Sequence, residues 1–112
     1  MIINEKQIGC SNCKGIKIFV EKKGEEVARA YLYLIQNDLR PERYGLMEDV
    51  FVNENFRGQG LGTELVKKII KLAKEYECYK LICTSRYEKE KVHILYKRLG
   101  FKDWGKEFRM DF

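Results

Sequence analysis

Residues 47–62 read MEDVFVNENFRGQGLG, and this stretch decides the fold. Its first residues predict the end of a strand, whereas Arg57 is followed by glycines at positions 58, 60 and 62. A glycine-rich turn between a strand and a helix exposes backbone N–H groups, and the helix dipole adds positive potential there. The stretch therefore predicts a site for an anionic group such as pyrophosphate, with Arg57 adding charge and Thr63 a hydroxyl.

Other phosphate-binding loops do not fit these residues. The nucleoside triphosphatase loop needs G-x-x-x-x-G-K-[ST], and the chain contains no Gly-Lys-Ser/Thr. The dinucleotide fingerprint needs G-x-G-x-x-G, but Thr63 and Leu65 stand where its third glycine would be. The remaining alternative is a tight turn without a ligand, which three alternating glycines make costly because glycine loses the most conformational freedom on folding.

Three strands are predicted up to the glycine loop. Apolar or alternating runs cover residues 15–21, 27–35 and 44–52, and a turn at residues 23–25 joins the first two as a hairpin. An acidic pair in the third run is unusual for a strand.

Two helices and two further strands are predicted after the loop. Apolar side chains recur at helical spacing over residues 61–76, and a short β-rich run follows at residues 79–84. A second helix is opened by a capping box at Ser85 and ended by Gly100, and residues 104–112 alternate like a last strand. This order favours a mixed sheet with helices packed on it and a ligand at the first strand-to-helix junction.

Composition predicts one folded domain over residues 1–112, since 45% of the chain is hydrophobic. No apolar run reaches the roughly 18 residues of a membrane span and no signal-peptide pattern is present, so we expect a cytoplasmic protein without a membrane partner. The charge of +5 fits an anionic partner. Lysines are nevertheless interleaved with glutamates, and no basic strand alternates with aromatics, so nucleic acid is the weakest of the partners considered.

The cysteines do not predict a metal site. Zinc needs four ligands, whereas Cys10 and Cys13 form a lone C-x-x-C and His93 is the single histidine. Metal binding, a disulfide and a structural turn all stay open for Cys10 and Cys13. We expect Cys83, within an apolar run, to pack as a small hydrophobe.

The motif R-x-x-G-x-G, together with the strand before it, resembles the acyl-CoA loop of the GNAT acetyltransferase superfamily. Residues 95–101, LYKRLGF, resemble the family's second-helix signature, and both stretches are most similar to diamine and thialysine acetyltransferases. The resemblance implies an α/β (α+β) fold: a mixed, largely antiparallel sheet with a central β-α-β-α unit that binds acetyl-CoA. It implies that the cofactor contacts come from Phe51, Val52, Arg57, Gly58, Gln59, Gly60, Leu61, Gly62 and Thr63.

The same resemblance implies an N-acetyltransferase in which a primary amine attacks the thioester directly within a ternary complex. The amine must lose a proton, and Glu48 matches the glutamate that diamine acetyltransferases carry on this strand. Tyr96 matches the tyrosine that protonates the leaving thiolate. Backbone N–H groups of Phe51 or Val52 would stabilise the oxyanion.

The N-terminal region departs from the family. Members usually place two helices between their first two strands, and these helices close the acceptor pocket. Here only residues 9–14 lie between Ile8 and the strand that opens at Gly15. The site is therefore either open to a bulky acceptor such as a protein amine, or completed by a second subunit in a homodimer. A non-catalytic acyl-CoA-binding regulatory or interaction module is the alternative function.

Overall fold

The computed structural model describes residues 1–9, 13–37 and 39–112 of the chain. Five strands form one sheet in the order β1-β2-β3-β4-β5. They are β1 (Ile3–Gly9), β2 (Cys13–Lys22), β3 (Glu25–Ile35), β4 (Tyr44–Val52) and β5 (Leu81–Ile82). The first four strands run antiparallel to their neighbours, whereas β5 pairs parallel with β4.

Two α-helices accompany the sheet, α1 (Leu61–Glu75) and α2 (Glu90–Arg98), and a short 3₁₀ turn (Glu54–Phe56) precedes α1. Because α1 connects β4 to the parallel β5, the predicted strand–helix–strand unit is confirmed. The predicted fold class, a mixed and largely antiparallel sheet with a central β-α-β-α unit, is confirmed as well. Within the described residues, no helix has the length and apolar character needed to cross a bilayer.

The two faces of the sheet differ in chemistry. The inner face packs against α1, and its side chains are almost fully buried: Ile16, Ile18, Ala30, Leu32, Leu34 and Met47, which meet Leu65, Val66 and Ile69 of the helix. Side chains alternate along a strand, so the residues between these core positions lie on the opposite side. We call this side the outer face; it carries Lys17, Phe19, Arg29, Tyr31, Tyr33, Leu46 and Glu48, all of them part-exposed.

The hairpin between β2 and β3 turns at Lys23 and Gly24, one residue shorter than the turn predicted over residues 23–25. Lys23 and Gly24 both have positive φ, at 51° and 79°. This geometry matches the right-handed twist of the flanking strands and favours glycine at the second position.

Two predicted features are wrong, a last strand and a helix cap. Residues 104–112 form no strand, and Phe108, Met110 and Phe112 are exposed. A strand needs a partner edge, and only two residues of β5 pair with β4, so this end of the sheet offers little ladder to extend. The capping box at Ser85 does not form either. Its hydroxyl lies 3.1 Å from Nε2 of His93, and α2 begins at Glu90 without a side-chain cap.

Candidate functional site

A β-bulge opens the sheet at the end of β4. Arg29 of β3 faces Phe51 and Tyr31 faces Glu48, so β4 has one extra residue between these pairs. Asp49 lies in the bulge with φ of 50°. On its other side β4 pairs with β5 only at Gly45 and Leu46. The edge of β4 from residue 47 to 52 is therefore not paired with β5, and we call the space along this unpaired edge the cleft.

Backbone alternation decides which N–H groups point into this cleft. The Asn53 N–H donates to the Val27 carbonyl of β3, at 2.7 Å. Successive backbone amides of a strand point in opposite directions. The N–H of Val52 consequently points away from β3 toward the open edge, while that of Phe51 points toward β3. Of the two residues named from the sequence, Val52 is the one placed to donate to a ligand.

The glycine loop forms an open cradle at the start of α1. Gly58 and Gly60 have φ of 78° and 82°, which other residues rarely adopt, and a Cβ on either would meet no atom within 4 Å. Gly60 caps α1, and its carbonyl accepts the N–H of Glu64 at 3.0 Å. The N–H groups of residues 61–63 precede that first bond and so have no acceptor inside the helix.

Arg57 ties this loop to β4. Its Nε donates to the Val52 carbonyl at 2.9 Å, and its guanidinium lies 5.9 Å from the centre of the Phe51 ring. Gln59 is exposed and Thr63 is part-exposed on the first turn of α1. The structure thus brings the predicted loop residues together with the end of β4, as the sequence predicts for a strand-to-helix junction.

Tyr96 is held by the C-terminal cap of α2. Gly100 has φ of 108°, its N–H donates to the Lys97 carbonyl at 3.1 Å, and the Phe101 N–H donates to the Tyr96 carbonyl at 3.0 Å. These two bonds form a Schellman motif. Such a motif is usually accompanied by an apolar contact between the two side chains whose backbones the longer bond joins, here Tyr96 and Phe101. The rings of Tyr96 and Phe101 make that contact, with centroids 5.3 Å apart. The cap explains why LYKRLGF ends in Gly100 and Phe101.

Glu48 and Tyr96 are both shifted toward their neutral forms. Burial raises the pKa of Glu48, and the charges of Asp49 and Glu107 raise it further. Burial also raises the pKa of Tyr96 to about 12, with a smaller effect from Cys83. A tyrosine with this pKa stays protonated at neutral pH and can donate its proton.

Cys83 is the residue of this cleft that sequence reasoning missed. Burial raises the pKa of its thiol to about 11, and the Glu48 carboxylate raises it further. The Glu48 carboxylate thus acts on the pKa of Cys83, and Cys83 acts on that of Tyr96. No local sequence signal marks this position, because it depends on the parallel pairing of Leu46 with Ile82, after which Cys83 follows directly.

A scan against family models matches residues 4–101 to the acetyltransferase (GNAT) family. The chain belongs to this family. A glucosamine 6-phosphate N-acetyltransferase from Trypanosoma brucei brucei is 36% identical over 67 residues, which are 60% of this chain and 44% of that protein. A thialysine N-epsilon-acetyltransferase from Bos taurus is 30% identical over 83 residues, 74% of this chain and 49% of that protein. The chain thus spans less than half the length of these relatives.

Solved GNAT structures share the fold. A putative acetyltransferase from Agrobacterium tumefaciens superposes with a TM-score of 0.78 at 28% identity, over 87% of this chain and 68% of that one. A Trypanosoma brucei acetyltransferase superposes with a TM-score of 0.77 at 28% identity, over 90% of this chain and 70% of that one. A glucosamine-6-phosphate N-acetyltransferase from Arabidopsis thaliana superposes with a TM-score of 0.74 at 25% identity, over 90% of this chain and 67% of that one.

Proposed function

We propose that the chain transfers an acetyl group from acetyl-CoA to a primary amine, which attacks the thioester directly in a ternary complex. One observation carries this proposal: the open glycine cradle of residues 57–62 lies at the same end of β4 as the split between β4 and β5. An anion held by the cradle would have its attached chain directed along the unpaired edge of β4, toward Glu48.

The residues of the cradle suit the cofactor. The pyrophosphate of acetyl-CoA would be held by the loop and first turn of α1, Arg57, Gly58, Gln59, Gly60, Leu61, Gly62 and Thr63, where N–H groups and the helix dipole favour negative charge. The unpaired edge of β4 would hold the pantetheine through the N–H of Val52, with Phe51 beside it. Acetyl-CoA supplies the activated acyl group, and no metal enters this chemistry.

Glu48 would act as the base and Tyr96 as the acid. A primary amine has an ordinary pKa of about 10.4, so a base must remove a proton before attack. The carboxylate of Glu48 has a raised pKa, which makes it a stronger base than an exposed glutamate. Tyr96 stays protonated at neutral pH and would return a proton to the departing sulfur.

Binding and turnover, measured separately, test the proposal. We expect acetyl-CoA to bind the wild type in calorimetry, and free thiol to appear when a primary amine is added. Tyr96→Phe should keep the binding and lower kcat by about 10- to 100-fold, because the hydroxyl is lost while the ring contact with Phe101 is retained. Tyr87→Phe is the matched control, since Tyr87 is 82% exposed in the loop before α2. No binding of acetyl-CoA would refute the proposal.

A non-catalytic acyl-CoA-binding module is the second candidate, and one observation favours it. Only residues 10–12 separate β1 from β2, which is too few for the two helices that close an acceptor pocket. In that case acetyl-CoA would bind, but adding an amine would produce no free thiol. A homodimer that supplies the missing wall is the other consequence of the short connection, and sedimentation would detect it.

A further inference from the structure

The outer face of the sheet continues directly from Glu48. Tyr31 is the cross-strand partner of Glu48, and Tyr33 is the partner of Leu46. Side chains on directly opposed residues have Cβ atoms about 5 Å apart. The two tyrosine rings are parallel, with an interplanar angle of 3° and centroids 6.1 Å apart. We call these two tyrosine rings the aromatic ridge. It lies beside the proposed base, where an acceptor bound on this face would contact it.

The two cations of the outer face share a single carboxylate. Lys17 forms an ion pair with Glu26, and Nη1 of Arg29 lies 3.5 Å from the other oxygen of the same carboxylate. Arg57, at the neighbouring loop, donates its Nε to the Val52 carbonyl. Among the described residues, Glu48 takes part in no ion pair. Glu48 is therefore the unpaired carboxylate beside the ridge, while Lys17 and Arg29 together carry one more charge than Glu26 offsets.

The aromatic ridge is accessible to solvent. Both tyrosines are only part-buried, whereas their neighbours on the inner face, Ala30 and Leu32, are fully buried. An aromatic surface next to one unpaired carboxylate is complementary to an ammonium group attached to an apolar body.

We propose that the acceptor is a primary monoamine with an apolar body of about the size of one aromatic ring. It would lie on Tyr31 and Tyr33 with its amine at Glu48. This inference rests on the proposed function and names its substrate class. The nitrogen forms a bond to the acetyl carbon as the carbon–sulfur bond breaks. The amine loses its proton to Glu48, and the sulfur gains one from Tyr96.

Other amine acceptors fit this face less well. A sugar phosphate has a hydroxylated body that gains little from apolar contact with the two tyrosine rings. A polyamine brings a second ammonium group onto the ridge, where Lys17 already lies 5.8 Å from the Tyr31 ring centre. Like charges in this position repel, and the ridge itself has no second carboxylate to offset that.

An acceptor comparison tests the inference with the full chain. The rate of thiol release is measured with 2-phenylethylamine, spermidine and glucosamine 6-phosphate. We expect kcat/KM to be at least about tenfold higher for 2-phenylethylamine. Tyr31→Ala and Tyr33→Ala should each raise KM for 2-phenylethylamine roughly tenfold and leave the Kd of acetyl-CoA unchanged, while Tyr31→Phe keeps the wild-type KM.

Phe19→Ala is the matched control. Phe19 lies on the same face but on β2, two strands away from Glu48, which puts it about 10 Å from the base. Its loss should leave KM unchanged, and a rise equal to that of Tyr31→Ala would overturn the assignment of the ridge.

The outcomes separate this inference from the proposed function. Turnover of glucosamine 6-phosphate or spermidine but not of 2-phenylethylamine would overturn the inference and leave the transferase intact. Binding of acetyl-CoA without turnover of any amine would overturn both. A wild-type dimer that Tyr33→Glu converts to monomers would identify the ridge as a subunit interface and overturn the inference.

Discussion

At the scale of single residues, the protonation of Glu48 controls the proposed reaction. Burial, Asp49 and Glu107 all disfavour its carboxylate form, so the pKa in the folded chain lies above the ordinary 4.5. A base works only when deprotonated, and kcat/KM should therefore fall as the pH drops through this raised pKa. We expect Glu48→Gln to lower kcat by roughly 10²- to 10⁴-fold and to abolish this acidic limb. Dividing the wild-type rate by the Glu48→Gln rate at each pH cancels the effect of the acceptor's own ionisation.

Asp49→Asn supplies the control for that pH profile. Asp49 is exposed in the bulge at φ of 50°, a conformation that asparagine tolerates, so the backbone should be preserved. Removing its charge takes away one cause of the raised pKa of Glu48. The acidic limb should move to lower pH while the plateau rate stays within about twofold. An acidic limb that persists in Glu48→Gln would assign it to another group.

The sequence was informative about residues whose chemistry depends on local pattern. Arg57, Gly58 and Gly60 could be predicted to form one loop because the strand, loop and helix start are contiguous, and the structure places them together. Cys83 packs against the core as expected, but its place beside the unpaired edge of β4 could not be predicted. Its place in the cleft depends on which strand pairs with β5 and in what register, and pairing between distant segments leaves no local signature.

At the scale of secondary-structure elements, the cleft depends on how closely β5 approaches β4 before the two separate. Gly45 makes this approach possible, because a Cβ there would lie 2.9 Å from Leu81 Cδ1 and 3.1 Å from Leu32 Cδ1. Gly45→Ala therefore requires the part-buried Leu81 and the buried Leu32 side chains to shift. We expect it to lower the free energy of unfolding by about 1–3 kcal/mol in urea titration.

Gly105→Ala is the matched control, since a Cβ at position 105 would meet nothing within 4 Å and φ is not positive there. Its unfolding free energy should stay within about 0.5 kcal/mol of wild type. Equal stability of the two variants would mean that the β4–β5 contact is looser than the structure has it.

The elements also show where periodicity stops being informative. Strands β2 to β4 and helix α1 follow their predictions closely because each buries one face against the same core. Residues 104–112 have the alternation of a strand but no partner edge, so the pattern alone was misleading. Helix α2 starts later than predicted, at Glu90, and the Ser85 hydroxyl lies 3.1 Å from Nε2 of His93 instead of capping the helix.

At the scale of the whole molecule, two glycines at different places provide a test of ligand-linked stability. Gly24 in the β2–β3 hairpin and Gly60 at α1 have φ of 79° and 82°, and each would place a Cβ in open space. Alanine at either position costs about 1–2 kcal/mol for the left-handed backbone. Without a ligand, Gly24→Ala and Gly60→Ala should therefore lose similar amounts of unfolding free energy.

Acetyl-CoA should separate the two variants, because only the methyl group of Gly60→Ala enters the space proposed for the pyrophosphate. A ligand that binds the folded state alone, at 100 times its Kd, stabilises it by about 2.7 kcal/mol. We expect that gain in urea titrations of wild type and Gly24→Ala at one fixed ligand concentration, and a gain smaller by at least about 1 kcal/mol in Gly60→Ala, which corresponds to a several-fold weaker Kd. If all three proteins gained the same stability, the ligand would not rest against Gly60, and the cradle would be only a turn.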